Sequence, residues 1–116
     1  MLKNDDDILP LAAGSRVQSR TVVVLHNGSP VTMPWIRQVP AILEMYLGGD
    51  GVGAAAIDLL FGRANPGGRL AEAFPLRLAD TPAFLNFPGE KGRVDYREGI
   101  YVGYRYYDKK EMDVLF

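Results

Sequence analysis

The chain has 116 residues, 47% hydrophobic and 23% charged, an ordinary globular composition with enough length for one compact core. Thirteen basic residues against fourteen acidic ones give a net charge of −1, so nothing in the charge favours nucleic acid or an anionic membrane surface. Cysteine is absent and His26 is the single histidine, which excludes disulfides and thiolate metal centres and argues against a histidine-based zinc site, and no cofactor is implied.

Met1 to Asp7 has no apolar stretch and does not read as a signal peptide, and no apolar run is long enough to span a membrane. The triple Asp5-Asp6-Asp7 reads as a solvated terminus, followed by the apolar Ile8-Leu9-Pro10-Leu11. Ala12 to Arg20 is small and polar and reads as a linker, so residues 1–20 are taken as an N-terminal segment. Thr21 to Leu25 is a β-branched run closed by Leu25, the pattern of a strand buried on both faces of a parallel sheet. It ends at Asn27-Gly28-Ser29-Pro30, a turn signal, and Pro34 to Gln38 suits a short helical turn.

Ala41 to Tyr46 fits strand or helix, with its shortness and the Gly48-Gly49 stop favouring strand. Gly51 to Phe61 is the clearest helix. Val52, Ala55, Ala56, Leu59 and Leu60 share one face, and Gly62 suits the left-handed position that ends it. Asn65 to Gly68 reads as a turn and Arg69 to Phe74 as another strand. Strand, helix and strand in that order imply a crossover in a parallel sheet. Residues 75–95 are irregular. Gly99 to Lys110 is aromatic-rich and fits helix or strand, with Ile100, Tyr104 and Tyr107 at helical spacing.

Several motifs in this order carry a family likeness. They are Val39-Pro40-Ala41-Ile42-Leu43, the helix ending at Leu59-Leu60-Phe61, and Gly62-Arg63-Ala64-Asn65-Pro66-Gly67-Gly68-Arg69-Leu70. Phe74-Pro75 and Glu98-Gly99-Ile100-Tyr101-Val102-Gly103-Tyr104-Arg105-Tyr106-Tyr107 complete the set. Together with Thr21 to Leu25 and Gly28 to Trp35, they resemble the second, α/β sandwich domain of family 3 glycoside hydrolases, the β-glucosidase type. The resemblance covers about residues 21–116 and departs at Ala71, where the family usually has Pro, and at Val52 and Gly53 in the glycine-rich loop. It implies a three-layer α/β sandwich with a mostly parallel sheet, here truncated and lacking some family elements.

The resemblance also implies a nucleophilic aspartate on a separate barrel domain and an acid/base glutamate upstream of the strand like Thr21 to Leu25. Only residues 12–20 separate Leu11 from Thr21, where the family has a long stretch, so neither role is assigned to a residue of this chain. The remaining acids are weighed on their own chemistry. Glycosidic cleavage needs two carboxyl groups, about 5–5.5 Å apart for a retaining mechanism. Asp50, Asp95 and Glu98 are the candidates, against plainer readings as a helix cap (Asp50) and as local ion pairs (Asp95, Glu98). Trp35, Tyr96 and Arg97 are the candidates for contacting a sugar, by ring stacking and hydrogen bonding.

Gly49-Asp50-Gly51-Val52-Gly53-Ala54 also fits a dinucleotide loop, which would need an acid about 20 residues on, at the end of the next strand. Glu72 is the nearest such acid, and a glycine loop for close packing explains the pattern equally. Ser15, Ser19 and Ser29 lie in no nucleophile elbow, and His26 reads as a strand-end residue bonded to backbone.

Two readings of different class follow. One is a β-glucosidase-like fragment acting on or binding β-glucosides, with a carbohydrate as its small-molecule partner. The other is a non-catalytic scaffold or weak sugar-binding remnant. A sheet lacking a strand leaves an edge that templates pairing with another chain, which predicts a homo-oligomer, swapped or not.

Overall fold

A computed structural model describes Gly14 and residues 17–116, so the aspartate triple and the apolar patch behind it lie outside the described residues. The described chain divides into two compact units. The first holds the residues up to Ser29 with Met33–Leu70, and the second holds Pro30–Thr32 with Ala71–Phe116.

In the first unit, strands β1 (Val22–Leu25) and β2 (Ala41–Glu44) pair in parallel, Val22 opposite Ala41 through Leu25 opposite Glu44. The β-branched run forms β1 as its composition demands, and the ambiguous segment resolves to strand by pairing with it over Ala41–Glu44, before Tyr46 turns the chain at φ 50°. Val23 is buried here, with Met33 and Trp35, and a 3-10 turn at Ile36–Gln38 leads into β2. Among the described residues the sheet has only these two strands, so the outer edge of each is unpaired. The class is α/β, with the sheet cut to a minimum.

Helix α1 (Val52–Leu60) sits where the periodicity puts it. It closes through paired bonds, the Arg63 N–H to the Asp58 carbonyl and the Gly62 N–H to the Leu59 carbonyl, with Gly62 at φ 72°. This is the Schellman arrangement that the glycine foretold. The helix buries no residue fully. Val52, Ala56 and Leu59 of its apolar face are half-buried, while Ala55 and Leu60 are exposed.

Two expectations downstream are corrected. Asn65 to Gly68 forms no turn, and Arg69 to Phe74 forms no strand. The end of that segment bonds to the C-terminus of the chain instead. Phe74 exchanges backbone hydrogen bonds with Phe116 and Leu115, and Pro75 bridges antiparallel to Val114. A strand-like composition therefore found its partner at the chain's end, and no crossover is completed through it.

That pairing anchors the second unit. Phe74 and Pro75 are fully buried, and the Phe74 and Phe116 rings meet edge to face at 6.2 Å. Helix α2 (Tyr104–Lys110) contributes buried Tyr107, whose ring meets Tyr106 at 5.4 Å. The aromatic segment is thus helical, but only from Tyr104, because Gly103 at φ 59° interrupts it and leaves Ile100 exposed. Lys109 and Lys110 in its last turn suit the negative helix end.

Asp80, at the end of a 3-10 turn (Leu78–Asp80), is 5% exposed. Its carboxylate accepts hydrogen bonds from Arg77 Nη2 at 2.7 Å and Nε at 3.2 Å. That bond, then the Asp80 charge, holds the Arg77 guanidinium above its ordinary range. Burial raises the Tyr107 phenol above its ordinary value of 10.0, with the Asp80 charge next and Tyr106 after it.

Candidate functional site

Five polar residues of the second unit, Asn86, Glu90, Arg93, Asp95 and Arg97, line a groove of about 400 Å³. One wall is residues 85–90 and the other is the row Arg93, Asp95 and Arg97. Local turns shape the first wall, with the Asn86 and Phe87 N–H groups both bonding the Ala83 carbonyl. Glu90 and Arg93 then exchange backbone hydrogen bonds across Lys91 and Gly92, whose φ values are 51° and 75°. Two positive φ angles in a two-residue loop make this a type I′ turn. Gly89 precedes it at φ 91°, where a side chain would run into the Arg93 carbonyl, so only glycine fits.

Asp95 is the centre of the row. Arg93 Nε donates to its Oδ1 at 3.0 Å and Arg97 Nη2 donates to its Oδ2 at 3.2 Å. Arg93, Asp95 and Arg97 share one face, the alternate positions all lining the groove while Tyr96 does not. Tyr96, between them, is 84% exposed and does not line the groove, and neither does Glu98.

Of the residues singled out in the sequence, the structure brings Asp95 and Arg97 together by direct contact. Asp95 does form the local ion pair expected of it, with Arg93 as a second partner. Asp50 is in the first unit, exposed in the loop between β2 and α1. It does not cap the helix, whose first flanking residue is Gly51 and which makes no side-chain cap bond. Trp35, also in the first unit, is 4% exposed, with its Nε1 buried and lacking a hydrogen-bond partner. The His26 Nδ1 lies 3.3 Å from the Tyr46 carbonyl. That oxygen only accepts, which places the proton on Nδ1 and gives His26 the backbone bond expected of it. The glycine loop does join a strand to a helix, yet no strand follows among the described residues to carry a ribose-binding acid.

Sequence reasoning missed Glu90, Arg93, Asn86 and Phe87. The alternation Arg93, Asp95, Arg97 was visible in the sequence, but the Lys91-Gly92 turn that presents it lacks the usual Asn-Gly or Asp-Gly signature. Among the described residues no group of three or more acids and histidines could hold a metal ion, and no helix is long and apolar enough to cross a membrane.

Residues 13–104 match the family described as "Glycosyl hydrolase family 3 C-terminal domain". The chain is 58% identical over 106 residues to thermostable beta-glucosidase B of Acetivibrio thermocellus, covering 91% of this chain and 14% of that protein. It is 50% identical over 96 residues to probable beta-glucosidase I of Aspergillus fumigatus, covering 83% of this chain and 12% of that protein. Its fold superposes on the beta-glucosidase of Kluyveromyces marxianus in complex with glucose with a TM-score of 0.92 at 40% identity, over 100% of this chain and 14% of that one. On beta-glucosidase 3B of Thermotoga neapolitana in complex with glucose the TM-score is 0.81 at 37% identity, over 96% of this chain and 16% of that one. The chain therefore spans only a small part of the length of the relatives it matches, and it belongs to glycosyl hydrolase family 3, as a β-glucosidase-like piece of the C-terminal domain.

Proposed function

We propose that residues 21–116 form a partial α/β sandwich domain that binds β-glucosides and does not hydrolyse them by itself. The observation that carries this reading is the state of the candidate acids. Asp95 is held between two guanidinium groups, and Glu98 lies off the groove. Glu90 is a second carboxyl on the groove, but it is exposed. The acid that protonates a glycosidic oxygen works in a water-poor pocket, which an exposed side chain lacks. Glucose bound to the beta-glucosidases of Kluyveromyces marxianus and Thermotoga neapolitana supports a glucoside as the ligand class. Calorimetric titration with methyl β-glucoside and release of aryl alcohol from an aryl β-glucoside test the two halves together. Binding without release is the expected result. Release that Asp95→Asn or Glu90→Gln abolishes would establish a catalytic pair on the groove and overturn the reading.

The sheet edges, unpaired among the described residues, favour a second, compatible reading, a homo-oligomer. Val22 is 45% exposed on β1, and β1 carries no charge or proline to discourage pairing. Light scattering after gel filtration is expected to give more than one chain per particle, with Val22→Lys shifting it toward monomer. A wild-type monomer at high concentration contradicts this.

A further inference from the structure

We propose that the groove between residues 85–90 and the Arg93, Asp95, Arg97 row holds one hexose unit, with Asp95 accepting hydrogen bonds from two neighbouring hydroxyls. The proposal rests on the reading that the chain binds β-glucosides and names the place.

The charge on the walls selects a neutral ligand. Glu90 and Asp95 oppose Arg93 and Arg97, so the lining charges cancel. An anion would meet two carboxylates there, and a cation two guanidinium groups. A neutral polyol meets neither penalty and uses both kinds of group, since each hydroxyl donates and accepts.

Hydrogen-bond capacity points the same way. A carboxylate offers about four acceptor directions, and the two arginines occupy one on each oxygen of Asp95. The remaining directions, one on each oxygen, suit the paired donors of a vicinal diol. Each arginine has five N–H groups and spends one on Asp95, leaving donors beside the same diol. Asn86 on the facing wall supplies a further donor and acceptor.

The facing wall also has an apolar surface. Phe87 lines it and is 68% exposed, a free ring of the kind against which the C–H face of a sugar packs. The volume falls within the range of small-molecule sites. The two guanidinium groups bracket the Asp95 carboxylate, one on each oxygen, so its free acceptor directions point to the same side. Because both arginines are largely exposed, the ion pairs themselves contribute little to folding, so the row can be altered without unfolding the chain.

Amide NMR shifts of the full chain, titrated with methyl β-D-glucoside, test this directly. Shifts at Asn86, Phe87, Glu90, Arg93, Asp95 and Arg97 are expected, with Asp95→Asn weakening the affinity about tenfold. Lys109→Ala, on α2 away from the groove, is expected to change nothing. Should Asp95→Asn fail to fold, the wild-type footprint still decides. Glucoside shifts confined to other residues, such as those around Trp35, overturn the groove while leaving glucoside binding intact. No shifts at any residue overturn both. Groove shifts with inorganic sulfate but not with the glucoside make it an anion site and overturn the proposal.

Discussion

Glu111 follows α2 in the left-handed region, at φ 52° and ψ 42°. Its N–H bonds the Asp108 carbonyl while the Met112 N–H bonds the Tyr107 carbonyl, the same closure that ends α1 at Gly62. One closure uses glycine and the other pays the Cβ penalty of that conformation. Glu111→Gly is therefore expected to stabilise the chain by about 1 kcal/mol, read as a higher urea midpoint. Asp80 is the opposite case, a buried acceptor paired with an exposed guanidinium, where an amide would turn a buried N–H2 toward the Arg77 donors with no acceptor to meet it. Asp80→Asn is expected to destabilise by about 1–3 kcal/mol, and Arg77→Gln, which leaves the buried carboxylate without its cation, is expected to lower the urea midpoint as well. Tyr107 gives an alkaline signature. Its folded pKa lies above its unfolded value, so the folded chain keeps the phenolic proton longer. The stability this provides is whole below pH 10.0 and is lost as pH rises through the folded value. Urea midpoints of Tyr107→Phe should fall less steeply across that range than those of the wild type.

Helix α1 was legible because three signals agreed: an apolar stripe, a preceding glycine loop and Gly62 at its end. Gly62→Ala is expected to cost about 1 kcal/mol, since φ 72° tolerates no Cβ comfortably. β1 was legible from composition alone, Val-Val-Val-Leu having no other stable home. Arg69 to Phe74 was not, because composition suggests a strand without naming its neighbour, and here only Phe74 finds one, at the chain's own end. The start of α2 was also hidden, as a glycine within a helical pattern does not announce its φ. The groove was half legible. Asp95 and Arg97 could be picked out as charged residues beside aromatics, but Arg93 and Glu90 needed the turn that folds them onto one face.

Membership of glycosyl hydrolase family 3 rests on the ordered motifs, and the comparisons agree with them across most of the chain. Activity does not travel with that likeness, because the chain spans a small part of its relatives and fold does not assign chemistry. What supports a role in glucoside handling is local: a groove of balanced charge, a carboxylate between two arginines and an exposed ring. Saturation-transfer NMR on the purified chain with an aryl β-glucoside reads binding and cleavage in one tube. Saturation reaching the sugar protons, with no free aryl alcohol accumulating, is the predicted result. Aryl alcohol that accumulates and disappears with Asp95→Asn, or a sugar that receives no saturation at all, would contradict the account.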